Sequence, residues 1–244
     1  MVKKISGLLL LGLIVVQAIF ASSGEHAFHA KRSYLQGRYS AAYNQYTLAL
    51  REARKEADLV AEGRILTSMA TLAIYAMQYE DAKKLLDLVR VNSLDEKGRE
   101  NFYKTYMEFY NLQGKHREAF EIARNHSFRR ASADFLGQAA IAAAGSGNSS
   151  EADAFLKRIN RNESPGQLAF YRARVADLNG EDSKELYQNA LRLSSEKNQY
   201  FISGIILLRM AELTGDKGYA ARSASVFGEL GLAIPFEKAE EAAK

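Results

Sequence analysis

The chain has no cysteine and only two prolines, Pro165 and Pro235, in 244 residues. Without cysteine there are no disulfide staples and no thioether-linked lipid anchor. With so little proline, almost the whole chain is free to be helical. Runs of alternating β-branched residues are scarce, whereas Ala, Leu, Glu, Lys, Arg and Gln, all good helix formers, abound. The fold class this predicts is all-α. Catalytic signatures are lacking too. There is no G-x-S-x-G, no phosphate loop and no complete zinc-site pattern, since His26 and His29 stand three apart, a spacing that can bind a metal, with no third ligand evident; the GSG at 145–147 is too short to cradle a phosphate.

Charge of one sign is also lacking. Lys3 and Lys4 are two of the 33 basic residues, and residues 1–21 hold no acid, so the remainder carries a net charge of +2. No basic tract of the kind that grips nucleic acid occurs, and nucleic acid is excluded as a partner. What the chain does have is apolar mass, 47% by composition. A folded chain of this size buries roughly 70–75% of its unfolded surface.

The first residues differ from the rest. Lys3 and Lys4 precede an apolar run from Ile5 to Phe20, and AIFASSGEH follows. A basic start, an apolar middle and a small-residue exit make a secretory signal, residues 1–23, cut after Ala21 or Ser23. Sixteen helical residues reach only about 24 Å, short of a roughly 30 Å hydrocarbon core. The alternative is an uncleaved anchor over residues 5–20, which would be the only contact with a membrane. Either way the expected location is the periplasm or the exterior.

Beyond residue 24 a pattern recurs. LQGRYSAAYNQY at 35–46 matches LQGKHREAFEIA at 112–123, with Gly37, Tyr39, Ala42 and Tyr43 against Gly114, His116, Ala119 and Phe120. AMQYEDAKKLL at 76–86 repeats it with Met77 in the glycine place and Tyr79, Ala82 and Leu86 in register. GSGNSSEADAFL at 145–156 supplies Gly147 and Ala152. LNGEDSKELYQNAL at 178–191 supplies Gly180, then Tyr187 and Ala190 with a two-residue deletion between helices. LTGDKGYAARSA at 213–224 supplies Gly215 and Ala220. The markers 37, 77, 114, 147, 180 and 215 are separated by 40, 37, 33, 33 and 35 residues.

This pattern resembles the tetratricopeptide repeat, a helix–turn–helix unit of 34 residues that stacks into a solenoid. The resemblance spans about six repeats in residues 24–231, followed by a cap or tail over 232–244 in which Leu232, Ile234 and Phe236 could cover the last repeat. Small residues at Ala42, Ala82, Ala119, Ala152 and Ala220 would let the second helix of each repeat approach the first. The family's small residue in the first helix falls at Ala30, Ala70, Ala140 and Ala173, but at Met107 and Leu208 in the other copies. The glycines suit the left-handed residue that ends a helix. Tyr39, Ala42, Tyr43, Tyr46 and Ala49 would form one buried face. The first repeat's second helix should be longer than the family norm.

The resemblance also implies where a partner binds. Ligand-facing positions lie on the first helix of each repeat: Lys31 and Tyr34; Arg64, Thr67, Thr71 and Ile74; Asn101, Lys104, Glu108 and Asn111. Later repeats add Asp134, Gly137, Ile141 and Ala144; Gln167, Phe170, Arg174 and Asp177; and Ile202, Ile205, Arg209 and Glu212. Lys31, Arg64 and Lys104 against one Glu108 make the N-terminal half of this groove basic, suited to an extended, acidic peptide. The family's carboxylate clamp needs Asn where Lys31 and Thr71 stand, so that specificity is not implied. His26 and His29 fall on packing positions, His116 replaces an aromatic, and His126 would place a basic group at a helix end. No metal or cofactor is called for. The expectation is a non-enzymatic adaptor that presents a concave groove to an envelope protein or peptide. The alternative is a structural protein that self-associates through its outermost repeats.

Overall fold

The computed structural model describes residues 22–160, 165–196 and 199–244; the signal expected in residues 1–23 lies almost wholly outside them. The described residues form thirteen α-helices and one short 3-10 turn, with no strand. Helices α1 (Ser23–Leu35) and α2 (Tyr39–Lys55) pair as the first repeat, α3 (Leu59–Tyr75) and α4 (Tyr79–Asp87) as the second, and α5 (Glu96–Leu112) and α6 (His116–Asn125) as the third. They are followed by α7 (Ala133–Gly145) with α8 (Ser149–Lys157), α9 (Pro165–Leu178) with α10 (Lys184–Glu196), and α11 (Tyr200–Thr214) with α12 (Lys217–Glu229). A last helix, α13 (Ala233–Ala243), packs on α12. Each helix packs on its neighbours in chain order, so the molecule is an all-α solenoid. Among the described residues no helix is long and apolar enough to cross a membrane.

The turn inside each repeat explains the recurring glycine. Gly37, Gly114, Gly147 and Gly180 have φ between 72° and 82°, and Met77 takes the same left-handed conformation at φ 56°. The next residue's N–H then reaches back to a carbonyl five positions earlier. Arg38 donates to Ser33, Gln78 to Ala73, Lys115 to Tyr110, Asn148 to Ala143 and Glu181 to Ala176. This is the Schellman closure, which satisfies orphan carbonyls at the helix end. Because the chain leaves the turn already curled, α2, α4, α6 and α8 start two residues later with no side-chain cap. The first helices of repeats are capped by side chains instead: Ser22 for α1, Asp58 for α3, Asp95 for α5 and Ser132 for α7. Ala57 adopts the same left-handed conformation at φ 52°, where the long α2 ends. Ala57→Gly and Met77→Gly should therefore each raise unfolding stability by about 1 kcal/mol, read by urea titration, because only glycine takes that conformation without steric penalty.

Small residues set the close approaches. Ala30, Ala42, Ala70, Ala82, Ala119, Ala140, Ala152, Ala173 and Ala220 are all fully buried, as is Met107 where the third repeat lacks its alanine. Tyr39 and Tyr46 are buried on α2, but Tyr43 is 37% exposed and falls off that face. Tyr39, Ala42, Tyr46, Ala49 and Ala53 already fill the contact, and Tyr43 points past it.

Other expectations are corrected, among them that for His29, which is half exposed beside Glu25 and not on a packing position. The fifth repeat carries an insertion rather than a deletion: α10 starts four residues after Gly180, and the extra residues put Tyr187 in a fully buried place. In the sixth, Gly215 is itself the cap residue and donates to Ala211, one residue out of register with the other turns. His126 does not act as a cation at the end of α6. Its ring stacks on Tyr103 with centroids 3.5 Å apart, and burial pushes its pKa below the ordinary value. In the tail, Leu232 is buried and Phe236 packs on the core, while Ile234 faces outward.

The first and last repeats meet. One hydrophobic cluster joins Tyr39, Tyr46 and Ala49 of α2 to Phe201 of α11, Phe227 of α12 and Leu230 beyond it. Tyr75 of α3 stacks on Phe201 with centroids 3.8 Å apart and planes 10° from parallel. A Cβ placed on Gly37 would come within 2.9 Å of Leu230, so this glycine is fixed twice, by its φ and by the seam. The superhelix thus closes on itself, and the inner helices surround a pocket instead of lining an open groove.

Candidate functional site

The pocket has a volume of about 530 Å³. Its walls come from α1, α3, α5, α7, α9 and α11, the first helices of the six repeats, with Tyr39 at the start of α2 completing one side. One side is aromatic, where Tyr34 and Tyr39 stack at 5.6 Å and the Tyr34 and Tyr75 hydroxyls lie 3.4 Å apart. Burial pushes the Tyr34, Tyr39 and Tyr75 phenols above their ordinary pKa, so they stay protonated at neutral pH.

The polar groups are tied to one another. Lys104 and Glu108, one turn apart on α5, pair at 3.4 Å with little exposure. Burial and the nearby charge of Asp134 raise the Glu108 carboxyl against the opposing pull of Lys104. Burial acts to lower the Lys104 ammonium, but the fields of Glu108 and Asp134 more than reverse it, and Lys104 stays charged. Asn111 donates from Nδ2 to the Gln138 carbonyl and to its Oε1, both at 2.9 Å, and its own Oδ1 lies 3.1 Å from His116 Nδ1. That geometry makes His116 Nδ1 the donor, and burial together with the Arg174 field lowers its pKa and keeps the ring neutral.

Two further anchors sit on α7 and α9. Asp134 Oδ1 accepts from Gln167 Nε2 at 2.8 Å and from the Tyr171 hydroxyl at 2.9 Å. Tyr171 lies flat against α7 because position 137 is glycine; a Cβ there would sit 2.2 Å from the ring. Asp177 accepts from Arg209 through both oxygens at 2.8 Å, from Arg174 at 2.9 Å and from the Tyr187 hydroxyl at 3.0 Å. Arg209 also reaches Glu212 at 2.6 Å.

The ligand-facing positions implied by the repeat resemblance divide clearly. Tyr34, Lys104, Glu108 and Asn111 line the pocket, as do Asp134, Ile141, Gln167, Phe170, Arg174, Ile202, Ile205, Arg209 and Glu212. Lys31, Arg64 and Asn101 do not. All three are exposed elsewhere on the surface, and Arg64 pairs with Asp95 at 2.5 Å. Thr67 and Thr71, 1% and 7% exposed, are packing residues between α3 and α5. Their hydroxyls bond the carbonyls of Gly63 and Thr67, and Thr71 also meets Thr105 at 3.3 Å. The basic half-groove expected from Lys31, Arg64 and Lys104 therefore does not assemble, because two of the cations point away and the third is neutralised by Glu108.

Sequence reasoning assigned Tyr39 first of all to packing and passed over Tyr75, Gln138, Tyr171, Tyr200 and Phe201, all of which line the pocket. Gln138 and Tyr171 carry a local signal, since each is one helical turn from a position already selected, Asp134 and Gln167. Among the described residues no cluster of His, Asp or Glu is arranged to hold a metal ion. No family model matches the chain, and no curated protein matches it.

Proposed function

We propose that the chain is an exported, non-enzymatic binding module of tetratricopeptide-like build that receives an extended segment of another envelope protein in its inner pocket. The observation that carries this reading is the pocket itself, about 530 Å³ of mixed aromatic and polar surface held by rigid helices. That volume lies in the range of ligand sites and fits one or two side chains of a peptide rather than a folded domain. The hydrogen bonds favour binding over chemistry: the pocket's carboxylates already serve Lys104, Gln167, Tyr171 and Arg209. The seam also weighs against self-association end to end, since it occupies Tyr39, Phe201 and Leu230, which a second copy would otherwise cover.

Selection of a random displayed-peptide library on the full chain tests the reading. Enriched peptides should bind the native protein and lose binding to Ile202→Trp, which fills the pocket from a half-buried position, with the thermal midpoint unchanged. No enrichment, or equal binding to the variant, would overturn it.

A further inference from the structure

Charge inside the pocket does not balance locally. Arg174, Asp177, Arg209 and Glu212 form one network of two guanidinium groups and two carboxylates, bonded to each other at 2.6–2.9 Å. Lys104 and Glu108 form a second, also balanced. Asp134 is left over. Its two hydrogen-bond donors, the Gln167 amide and the Tyr171 phenol, are neutral, and both act on Oδ1. Among the described residues no cation comes within 4.0 Å of it, and Oδ2 accepts no hydrogen bond.

A half-buried carboxylate whose nearby ammonium, Lys104, is already bonded to Glu108 is poorly compensated in a wall of low polarisability, and a cation placed beside it gains more there than in water. The surrounding rings add to this. Tyr34, Tyr75, Phe170 and Tyr171 line the same pocket, and aromatic rings attract ammonium and guanidinium groups. An acidic segment would instead meet like charge from Asp134 with no cation free to answer it, since Lys104, Arg174 and Arg209 are already paired.

We infer that the pocket selects a basic side chain, lysine or arginine, carried on an extended peptide and held between the Asp134 carboxylate and the neighbouring aromatic rings. This rests on the peptide-binding reading above and reverses the ligand charge expected from sequence.

The test uses three acetylated and amidated pentapeptides, Ala-Ala-X-Ala-Ala, where X is lysine, norleucine or glutamate. Binding to the full chain is read from the methyl resonances of Ile141, Ile202 and Ile205, which line the pocket. The lysine peptide should bind about tenfold more tightly than the norleucine peptide, the margin of one charge-assisted contact. The glutamate peptide should bind weakest. Asp134→Asn keeps an acceptor for Gln167 and Tyr171 and removes the charge, so it should erase the preference for lysine over norleucine. Norleucine or glutamate binding as tightly as lysine to the native protein would overturn the inference and leave the peptide-binding reading standing. Silence from all three peptides would overturn both. The native comparison stands even where the variant fails to fold.

Discussion

Asp177→Ala should lower unfolding free energy by about 3 kcal/mol in a urea titration, because it strands two guanidinium groups that share one carboxylate. Asp177 is 7% exposed at its side chain and ties α9 to α11 through Arg209. The arginines are a quarter to a third exposed, which holds the loss below that of a fully dry pair. The same carboxylate sets an acid response. Burial acts to raise its pKa, but the bonds from Arg209 and Tyr187 and the charge of Arg174 outweigh it and hold the pKa below the ordinary carboxylate value. A group with a depressed native pKa stabilises the fold above its unfolded pKa, and that contribution disappears as pH falls through the native one. Native protein should therefore lose stability on acidification below about pH 4, and Asp177→Ala should show a flatter acid limb.

Phe201→Ala should be comparably severe, about 3–4 kcal/mol, and should also release the seam. The ring is 8% exposed, stacks on Tyr75 and leans on Phe227 at 6.2 Å. In a solenoid each repeat is stabilised by its neighbours, so a contact between the first and last repeats adds one interface that chain order does not require. Its loss should leave the central repeats intact. Hydrogen exchange should quicken in α1 and α12 but not in α7, whose helix is buried on nearly every side. Uniform quickening across all helices would show that the seam and the core are one cooperative unit.

Much of this architecture is written locally. The left-handed turn needs glycine, and Gly37, Gly114, Gly147 and Gly180 mark it; even Met77, an unfavourable residue there, keeps the register through Tyr79 and Ala82. The positions one and two turns apart on inner helices, such as Lys104, Glu108 and Asn111, follow from helical periodicity. The closure does not. It depends on small rotations summed over six repeats, and no residue pair near in sequence reports it. Tyr75 and Phe201 each read as ordinary core aromatics, and only their meeting across 126 positions turns a groove into a pocket. Thr67 and Thr71 misled for a different reason. A threonine in a helix can satisfy its hydroxyl on the carbonyl one turn back, so polarity alone does not place it at a surface. Charge misled in the same way: Arg64 and Lys104 look free in sequence, and each has an acid waiting, Asp95 at the cap of α5 and Glu108 one turn on.

The measurement that tests the closed superhelix most directly is the distance between its ends by pulsed electron spin resonance. The chain has no cysteine, so spin labels at Ser40→Cys and Glu229→Cys are unique, and both sites are exposed. Ser40 Oγ lies 3.7 Å from the Cβ position of Gly231, two residues from the second label. The closed structure predicts one narrow, short distance set mainly by the label arms. An open solenoid, with six repeats stacked at about 10 Å each, would place the labels roughly 50 Å apart and would contradict the account.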